Sequence, residues 1–389
     1  MKKQLLITFG ILLILFVVGV WVFLFMFGAP NDSGDVFARF GLGGDSNTKT
    51  VPIVPRETKV DVSDTPNGTP QNLKQLTTRP VAGAVFAGTG IFYVEEGTGH
   101  LYYINLSTGI ETLVSGTTIP RAHTATFSND ATFVAITAIE GGVEKTFVAP
   151  IDLRKTSEGL RGVTLPLGAT ELSFVGASNT LMYLLKEKTG ASGYSYEPLS
   201  GRGGQIFTIP LRDIQILWGA TIYGYTTPTA SQEGHLYKIS GTNLEYVTGG
   251  GSGLSSFRYA SGTIVTKNND GEVSSYAQNT LGVREKLPLA FIPEKCVGSE
   301  STLFIYCGVP SEFTNPESFP DNWYKGTVSF SDNLWEVDIM KREATALSNF
   351  LTESGREIDI RQMGIDDNET MLYFINKNDN TLWVFDMTL

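Results

Sequence analysis

The chain has 389 residues, 41% of them hydrophobic, and a formal net charge of −11. An acidic chain without a run of lysine or arginine lacks the electrostatic surface of a nucleic-acid-binding protein, so nucleic acid is excluded as a partner. Two cysteines define neither a metal cluster nor a disulfide framework of the kind that small secreted domains need.

The N-terminus carries a long uncharged stretch. Lys2 and Lys3 precede an apolar run, LLITFGILLILFVVGVWVFLFMFG, at residues 5–28. The run is long enough to cross a membrane as a helix and too long for the apolar region of a cleaved signal peptide. Lysines precede the run and Asp32 and Asp35 follow it, so residues 1–4 are expected in the cytoplasm and the remainder outside. We therefore predict a single-pass protein of the cell membrane.

The next segment, residues 29–72, has the composition of a linker. It is rich in Gly, Pro, Ser, Thr, Asn and Asp, and its apolar residues follow no helical or strand period. Such a segment has little to bury on folding. We predict a flexible extracytoplasmic linker between the membrane and a folded domain at 73–389.

A short phrase recurs through the folded domain. It consists of a turn residue, a variable residue, an aliphatic residue and, usually, an aromatic residue. The phrase begins at Gly99, Gly204, Gly234, Gly271, Asp332 and Asn380, and a looser seventh copy begins at Glu144. Upstream of each copy lie a short strand, a polar turn and an apolar strand, which gives seven units of roughly 35–60 residues.

Self-similarity at this period, with about four short strands in each unit, is typical of a β-propeller. The sequence therefore predicts an all-β, seven-bladed β-propeller. The last unit ends after its third strand. We expect Leu73–Pro80 to supply the missing outer strand and to close the ring, which would also cover two sheet edges.

The residues offer no recognisable catalytic motif. The chain contains no nucleophile elbow, dinucleotide or Walker loop, HExxH motif or EF-hand. His100 and His235 stand at the same point of the repeat, in blades that are separated in the ring, and so do not form a metal site. We predict no metal and no cofactor. Acidic pairs in a central channel remain open, because their spacing is three-dimensional.

Two stretches resemble known propeller repeats. The turn SNDATFVAI at Ser128–Ile136 resembles the repeat of TolB-type and WD40-like propellers, and INLSTG at Ile104–Gly109 is similar to a turn of quinoprotein-type and BamB-like propellers. Asn105 and Leu113 replace the Asp and Trp that complete the quinoprotein pattern, so the likeness does not imply a bound cofactor. As a whole the chain resembles the membrane-anchored propellers of bacteria, which implies binding more than chemistry.

Two long segments interrupt the repeat, at 187–204 and 308–332. Both are predicted to be loops between a second and a third strand, which places them on the same rim of the ring. In one interpretation their aromatic side chains fix the loop to the blade; in the other they form an exposed binding surface. The predicted partner-binding residues are Tyr194, Tyr196, Phe313, Phe319, Trp323 and Tyr324.

The two cysteines lie on the first and second strands of the sixth unit. Export from the cytoplasm would permit a disulfide. Placing Gly298 opposite Leu303 makes Cys296 and Cys307 diagonal neighbours, close to the upper limit of Cα separation for a bond. The sequence is therefore compatible with a Cys296–Cys307 disulfide and also with two buried free thiols.

These observations predict a protein-binding or scaffolding module at the cell envelope. Its partner would be an envelope protein or, as the second choice, a glycan. The alternative is an envelope enzyme, a hydrolase or lyase acting on glycan or peptide, with carboxylates in the central channel. Ionisable groups that converge in the channel would favour the enzyme.

Overall fold

The structure, a computed structural model, describes residues 58–59, 72–152, 159–177, 179–259, 262–279, 282–298 and 303–388. The predicted membrane-spanning residues 5–28 and nearly all of the predicted linker lie outside these ranges. Within the described ranges, no helix combines the length and the apolar character needed to cross a membrane. The described residues belong to one unit, Val54–Leu389.

Two short strands come before the first complete sheet, β1 (Thr58–Lys59) and β2 (Leu73–Gln75). β1 pairs with the outer strand of the first sheet, so the predicted linker is part of a sheet at this point. β2 pairs antiparallel with the last strand of the chain, and Leu73 lies opposite Phe385. Only Leu73–Gln75 of the segment Leu73–Pro80 is strand.

The first three sheets are antiparallel, and apart from β1, which lies beside β6, their strands follow one another along the chain. The first contains β3 (Val81–Ala87), β4 (Gly90–Glu95), β5 (Leu101–Asn105) and β6 (Ile110–Ser115). The second contains β7 (Ala122–Phe127), β8 (Phe133–Glu140), β9 (Val143–Pro150) and β10 (Val163–Thr164). The third contains β11 (Ala169–Val175), β12 (Thr180–Lys186), β13 (Ala191–Glu197) and β14 (Arg202–Ile209).

A seven-stranded sheet follows, and its middle strand is 17 residues long. Its strands are β15 (Ile214–Leu217), β16 (Ile222–Thr226), β17 (Glu233–Ser240), β18 (Asn243–Tyr259), β19 (Gly262–Asn269), β20 (Glu272–Asn279) and β21 (Arg284–Lys286). β18 pairs with β17 up to Ser252 and with β19 from Ser252 onward. Gly250, Gly251 and Gly253 have positive φ angles at this change of partner, which glycine tolerates best.

Two sheets complete the domain. One contains β22 (Cys296–Gly298), β23 (Phe304–Pro310), β24 (Asp332–Asp338) and β25 (Glu343–Asn349). The last contains β26 (Ile360–Ile365), β27 (Met371–Asn376), β28 (Leu382–Asp386) and the early strand β2. The described residues contain few helical turns. These are 3₁₀ turns at Pro293–Lys295 and Pro316–Ser318, and the α-helices α1 (Asp321–Tyr324) and α2 (Phe350–Ser354).

The first strands of these units lie side by side in a closed circle. β3 contacts β7, β7 contacts β11, and β26 contacts β3. β15 contacts β18, β18 contacts β22, and β22 contacts β26. The circle is continuous between β11 and β15, because the backbone N–H of Ile216 donates to the carboxylate of Glu171 at 3.3 Å. Gly83 is required by this packing: a Cβ atom there would overlap the carbonyl oxygen of Ala125.

Apolar side chains fill the spaces between neighbouring sheets, so that each sheet is covered on both faces. One cluster joins the first sheet to the second through Phe92, Val94, Val134 and Ile136. Others join the last sheet to the first and to the sheet before it. The stability of each sheet therefore depends on its neighbours.

Two sequence predictions about register are wrong. Gly204 lies on β14, the fourth strand of the third sheet. The third strand is β13, and its Gly193 lies opposite Phe207 on β14. Only glycine fits at residue 193, because a Cβ atom there would overlap the ring of Phe207. Residues 187–204 are therefore not one long loop. In the sixth unit Gly298 lies opposite Ile305, so that Cys296 and Cys307 are directly opposed and form a disulfide. The turn between these strands contains two more residues than the prediction assumed.

Candidate functional site

The loop between β23 and β24, residues 311–331, carries four of the six predicted binding residues; we call it the strap. Its ends meet where the N–H of Ser311 donates to Ser331 at 2.9 Å. Between them the strap reaches across the neighbouring units. The N–H of Ala230 donates to the Asp321 carboxylate at 2.7 Å, and the Asn268 side chain donates to the carbonyl of Pro316 at 2.5 Å.

Most aromatic side chains of the strap point inward. Phe319 is 3% exposed and Trp323 is 4% exposed, and both pack in one cluster with Ile292 and Phe330. Phe313 is partly buried against the same cluster. The expectation that these side chains form an exposed surface is wrong for Phe319 and Trp323, because they supply the apolar contacts that hold the strap down.

Trp323 also closes a buried charged cluster. The ammonium group of Lys295 lies 2.7 Å from Asp332 and 2.5 Å from Asp359, and all three side chains are inaccessible to solvent. The indole N–H of Trp323 donates to Asp359 at 3.0 Å. Burial raises the pKa of Asp332 to about 6, although the Lys295 ammonium acts in the opposite direction. A second ammonium group, that of Lys377, lies 5.1 Å from the ring of Trp323 and interacts electrostatically with Asp359.

Carboxyl and phenol groups converge at the centre of the circle. Glu171 lies on β11 and Glu294 lies just before β22, on different sides of the circle, yet each is near enough to influence the other electrostatically. Burial raises the pKa of both carboxyl groups. The phenol of Tyr324 donates a hydrogen bond to Glu294, while Tyr225 lies near Glu171 and Glu294.

Tyr324 lies at the edge of this group. Its side chain is 40% exposed, and yet its hydroxyl is held by Glu294, whose Oε2 atom is buried without a hydrogen-bond partner among the described residues. The enzyme alternative predicts ionisable groups that converge in a central channel, and it stays a prediction.

The structure places Tyr194 and Tyr196 away from the strap. Both lie on β13 and pack, partly buried, against the cluster between the second and third sheets. The ring of Tyr194 stacks on Tyr183 with 5.4 Å between ring centroids. The six predicted residues therefore do not form one surface.

A concave pocket of about 950 Å³ lies where the first three sheets meet. We call it the three-sheet pocket. It is formed by the turns between the first and second strands of these sheets and by the ends of later strands. Its lining is mainly apolar and consists of Ala87, Gly88, Thr89, Phe92, Tyr103, Asp130, Ala131, Thr132, Phe133, Pro150, Ile151, Asp152, Ala177, Asn179 and Leu199.

Asp130 is the best-defined polar group of the pocket. Its Oδ1 atom accepts hydrogen bonds from the hydroxyls of Ser128 and Thr132, each at 2.7 Å, and from the N–H of Thr132 at 3.1 Å. Its Oδ2 atom accepts one from the Asn179 amide at 2.8 Å. These donors outweigh the effect of burial and lower the pKa of Asp130 to about 2, so the carboxylate is ionised at neutral pH.

Sequence reasoning did not find this pocket. The turn containing Asp130 was visible as SNDATF, but Asn179 lies 49 residues further along the chain. Leu199 is 84% exposed, and nothing in the local sequence distinguishes it from other loop leucines. Only the stacking of three sheets brings these residues together.

The histidines do not converge. The imidazole of His100 lies 3.7 Å from Glu95 in the first sheet, while His235 packs beside Tyr237 and Tyr246 in the seven-stranded sheet. Across the described ranges, no group of three or more His, Cys, Asp or Glu side chains has an arrangement that could hold a metal ion.

Several solved structures are similar to this fold. The oligogalacturonate lyase of Vibrio parahaemolyticus is 12% identical over 86% of this chain and 97% of its own, with a TM-score of 0.53. The β-propeller domain of the Trilobed protease from Pyrococcus furiosus is also 12% identical, over 80% of this chain and 96% of its own, with a TM-score of 0.53. The WD40 repeats of RRP9 are 10% identical over 81% and 97%, with a TM-score of 0.52.

Neither a protein-family model nor a curated protein matches the sequence. At these identities the solved structures show a common fold and nothing finer. The similar structures are β-propellers, some of them enzymes and others repeat domains. Together with the circle of first strands and the sheets stacked around it, they establish that this chain has the β-propeller fold.

Proposed function

We propose that this protein is a membrane-anchored, extracytoplasmic β-propeller that binds a protein partner of the cell envelope at the three-sheet pocket. The observation that carries the proposal is the pocket itself. Its volume of about 950 Å³ and its apolar lining with a few fixed polar groups are typical of a binding site. Leu199 at its edge is 84% exposed, which leaves apolar surface for a partner to cover.

The architecture of the proposed module is a ring of seven blades. The seven-stranded sheet counts as two blades that share β18, because this strand changes partner at Ser252. The pairing of β2 with β28 supplies the outer strand of the last blade and so closes the ring. Closure of this kind leaves no unpaired edge between the two ends of the domain.

Two features support a location outside the cytoplasm. The apolar run at 5–28 follows two lysines, as expected for an anchor whose N-terminus is inside. The Cys296–Cys307 disulfide is typical of an oxidising compartment. Single cysteines introduced at Ser33 and at Thr388 should both react with a membrane-impermeant thiol reagent on intact cells whose outer layer is permeable. Labelling only after lysis would contradict this topology.

The binding role can be tested by photo-crosslinking in cells. A photoreactive amino acid at Leu199 should crosslink a partner, whereas the same group at Val283, which is 53% exposed at another part of the domain, should not. Adding Ala177→Arg, which places a bulky charged side chain at an exposed position of the pocket lining, should abolish the Leu199 crosslink. Equal crosslinking at both positions, or none at either, would refute the pocket as the binding site.

A second candidate function is supported by the group at the centre of the circle. Glu171 and Glu294 have raised pKa values and lie beside phenols, as an acid–base catalyst would require. The protein would then act as a hydrolase or lyase on glycan or peptide, and the similar oligogalacturonate lyase suggests the first substrate to try. Release of unsaturated product from oligogalacturonate by the wild type, but not by Glu294→Gln, would support this candidate. No product from the wild type would remove it for this substrate.

A further inference from the structure

We infer that the three-sheet pocket selects a peptide segment that carries a lysine or arginine side chain between apolar residues. The inference rests on the proposed function and adds the chemistry of the partner. The cationic group would lie against Asp130, and the apolar neighbours would cover Ile151 and Leu199.

The apolar part of this specificity follows from the lining. Phe92 and Phe133 are 3% and 4% exposed and form the floor of the pocket, while Ile151 is partly buried at its wall. Leu199 stands almost fully exposed at the edge. Phe92 and Phe133 are already covered by the fold, so the apolar surface open to a partner lies at Leu199 and Ile151. A segment with apolar side chains would remove this surface from water, which favours association.

The charge of the pocket selects a cation. Asp130 is exposed and ionised, and no lysine, arginine or histidine lines the pocket among the described residues. Asp130 forms no ion pair with a basic side chain in the described part of the chain, and the hydrogen bonds to its carboxylate come from neutral donors. A lysine or arginine of a partner would add a charge-assisted hydrogen bond to this carboxylate.

The Asp130 carboxylate is held ready for this contact. Oδ1 already accepts three hydrogen bonds, whereas Oδ2 accepts one from Asn179, which is itself 8% exposed and therefore fixed. A carboxylate oxygen can accept more than one bond, so Oδ2 retains capacity for an incoming N–H. Little side-chain entropy is lost on binding, because these contacts exist before the partner arrives.

The same charge disfavours an acidic glycan. A carboxylate that is ionised at neutral pH repels the carboxylates of a uronic acid polymer, and the net charge of −11 adds a long-range repulsion. The Asp130 carboxylate and the net negative charge both attract a peptide with a basic residue. The observations therefore favour a peptide over an acidic sugar as the occupant of this pocket.

The test uses the full-length protein in detergent and three fluorescein-labelled peptides, Gly-Leu-Lys-Leu-Gly and its counterparts with Glu or norleucine in place of Lys. Fluorescence polarisation should show the lysine peptide binding about tenfold more tightly than the glutamate peptide. Asp130→Asn should weaken the lysine peptide about fivefold to tenfold, the size of one charge-assisted hydrogen bond, and leave the norleucine peptide unchanged. Asp366→Asn, in the corresponding turn of the last sheet, is the matched control.

A second variant covers the case in which Asp130→Asn does not fold. Leu199→Lys changes an exposed side chain, and it should weaken the lysine peptide while tightening the glutamate peptide. Equal binding of the three peptides, preference for glutamate or for oligogalacturonate, or no binding by any probe would overturn the inference. Such results leave the proposed function standing as long as Leu199 still crosslinks a partner, and loss of that crosslink refutes the proposed function itself.

Discussion

The indole N–H of Trp323 lies 3.0 Å from Oδ1 and 3.1 Å from Oδ2 of Asp359, and this contact joins the strap to the start of the last sheet. Asp359 also accepts a hydrogen bond from Lys295, the buried cation between the last two sheets. The strap is therefore part of the folded core. The contacts of its buried aromatic residues stabilise the fold and are not available to a partner.

Trp323→Ala should lower the free energy of unfolding by about 3–5 kcal/mol, because it leaves a cavity and removes a donor from a buried carboxylate. Urea denaturation monitored by circular dichroism measures this. Leu351→Ala, at a position 48% exposed, is the control and should stay within about 0.5 kcal/mol of the wild type. A Trp323→Ala protein as stable as the wild type would show that the strap is not needed for folding.

The pairing of β2 with β28 should stabilise the whole domain against unfolding. Leu73 is 5% exposed and packs in the cluster with Trp383 and Phe385, whereas its neighbour Lys74 is exposed. We expect Leu73→Ala to destabilise the protein by about 2–5 kcal/mol and Lys74→Ala to have little effect. Thermal unfolding of the two variants provides a matched comparison. The idea fails if both variants melt at the wild-type temperature.

The disulfide should be measurable directly. Thiol counting under denaturing, non-reducing conditions should find no reactive thiol in protein exported by the cell, because Cys296 and Cys307 are bonded. The double variant Cys296→Ala with Cys307→Ala should lose about 2–4 kcal/mol of stability. Two thiols per chain in the exported protein would contradict this expectation.

The buried cluster predicts a pH dependence. Burial raises the pKa of Asp332 to about 6, compared with about 3.9 for an unfolded aspartate. The folded chain therefore holds this proton more tightly. The contribution of this carboxyl to stability is fully present below about pH 4 and is lost as the pH rises through about 6. A shift of this size corresponds to roughly 3 kcal/mol.

Asp332→Asn should remove this dependence, because the amide does not titrate and Lys295 keeps Asp359 as its counter-charge at 2.5 Å. The unfolding free energies of wild type and variant can be measured in urea from pH 4 to 7.5. As the pH rises, the wild type should lose stability relative to the variant. Lys295→Met is the opposite case and should destabilise by about 3–5 kcal/mol at neutral pH, since it leaves the buried Asp332 carboxylate without the cation that lies 2.7 Å from it. A pH-independent difference would contradict the assignment to Asp332.

The strands and their repetition could be predicted because they depend on local sequence. Alternating apolar residues and Gly, Asn or Asp turns specify where a strand begins and ends, and their recurrence predicted the β-propeller fold that the structure has. The early strand β2 pairs with β28 in the last sheet, and closure of the ring by Leu73–Pro80 stays a prediction.

Register and burial could not be predicted in the same way. The number of residues in a turn shifts every pair across two strands, which is why Cys296 was placed opposite Ile305 rather than opposite Cys307. The aromatic composition of the strap suits a binding surface and a buried anchor equally well. Whether these side chains are exposed or buried depends on the hydrogen bond between Trp323 and Asp359, a residue 36 positions away.

The sequence by itself determined the β-propeller fold and the positions of most strands, because both arise from patterns a few residues long. Only the tertiary structure decided which groups act together. It placed Glu171 near Glu294 at the centre of the circle and Asp130 beside Asn179 in the three-sheet pocket. These groups come from different sheets, and their distances depend on how the sheets pack rather than on any local preference of the chain.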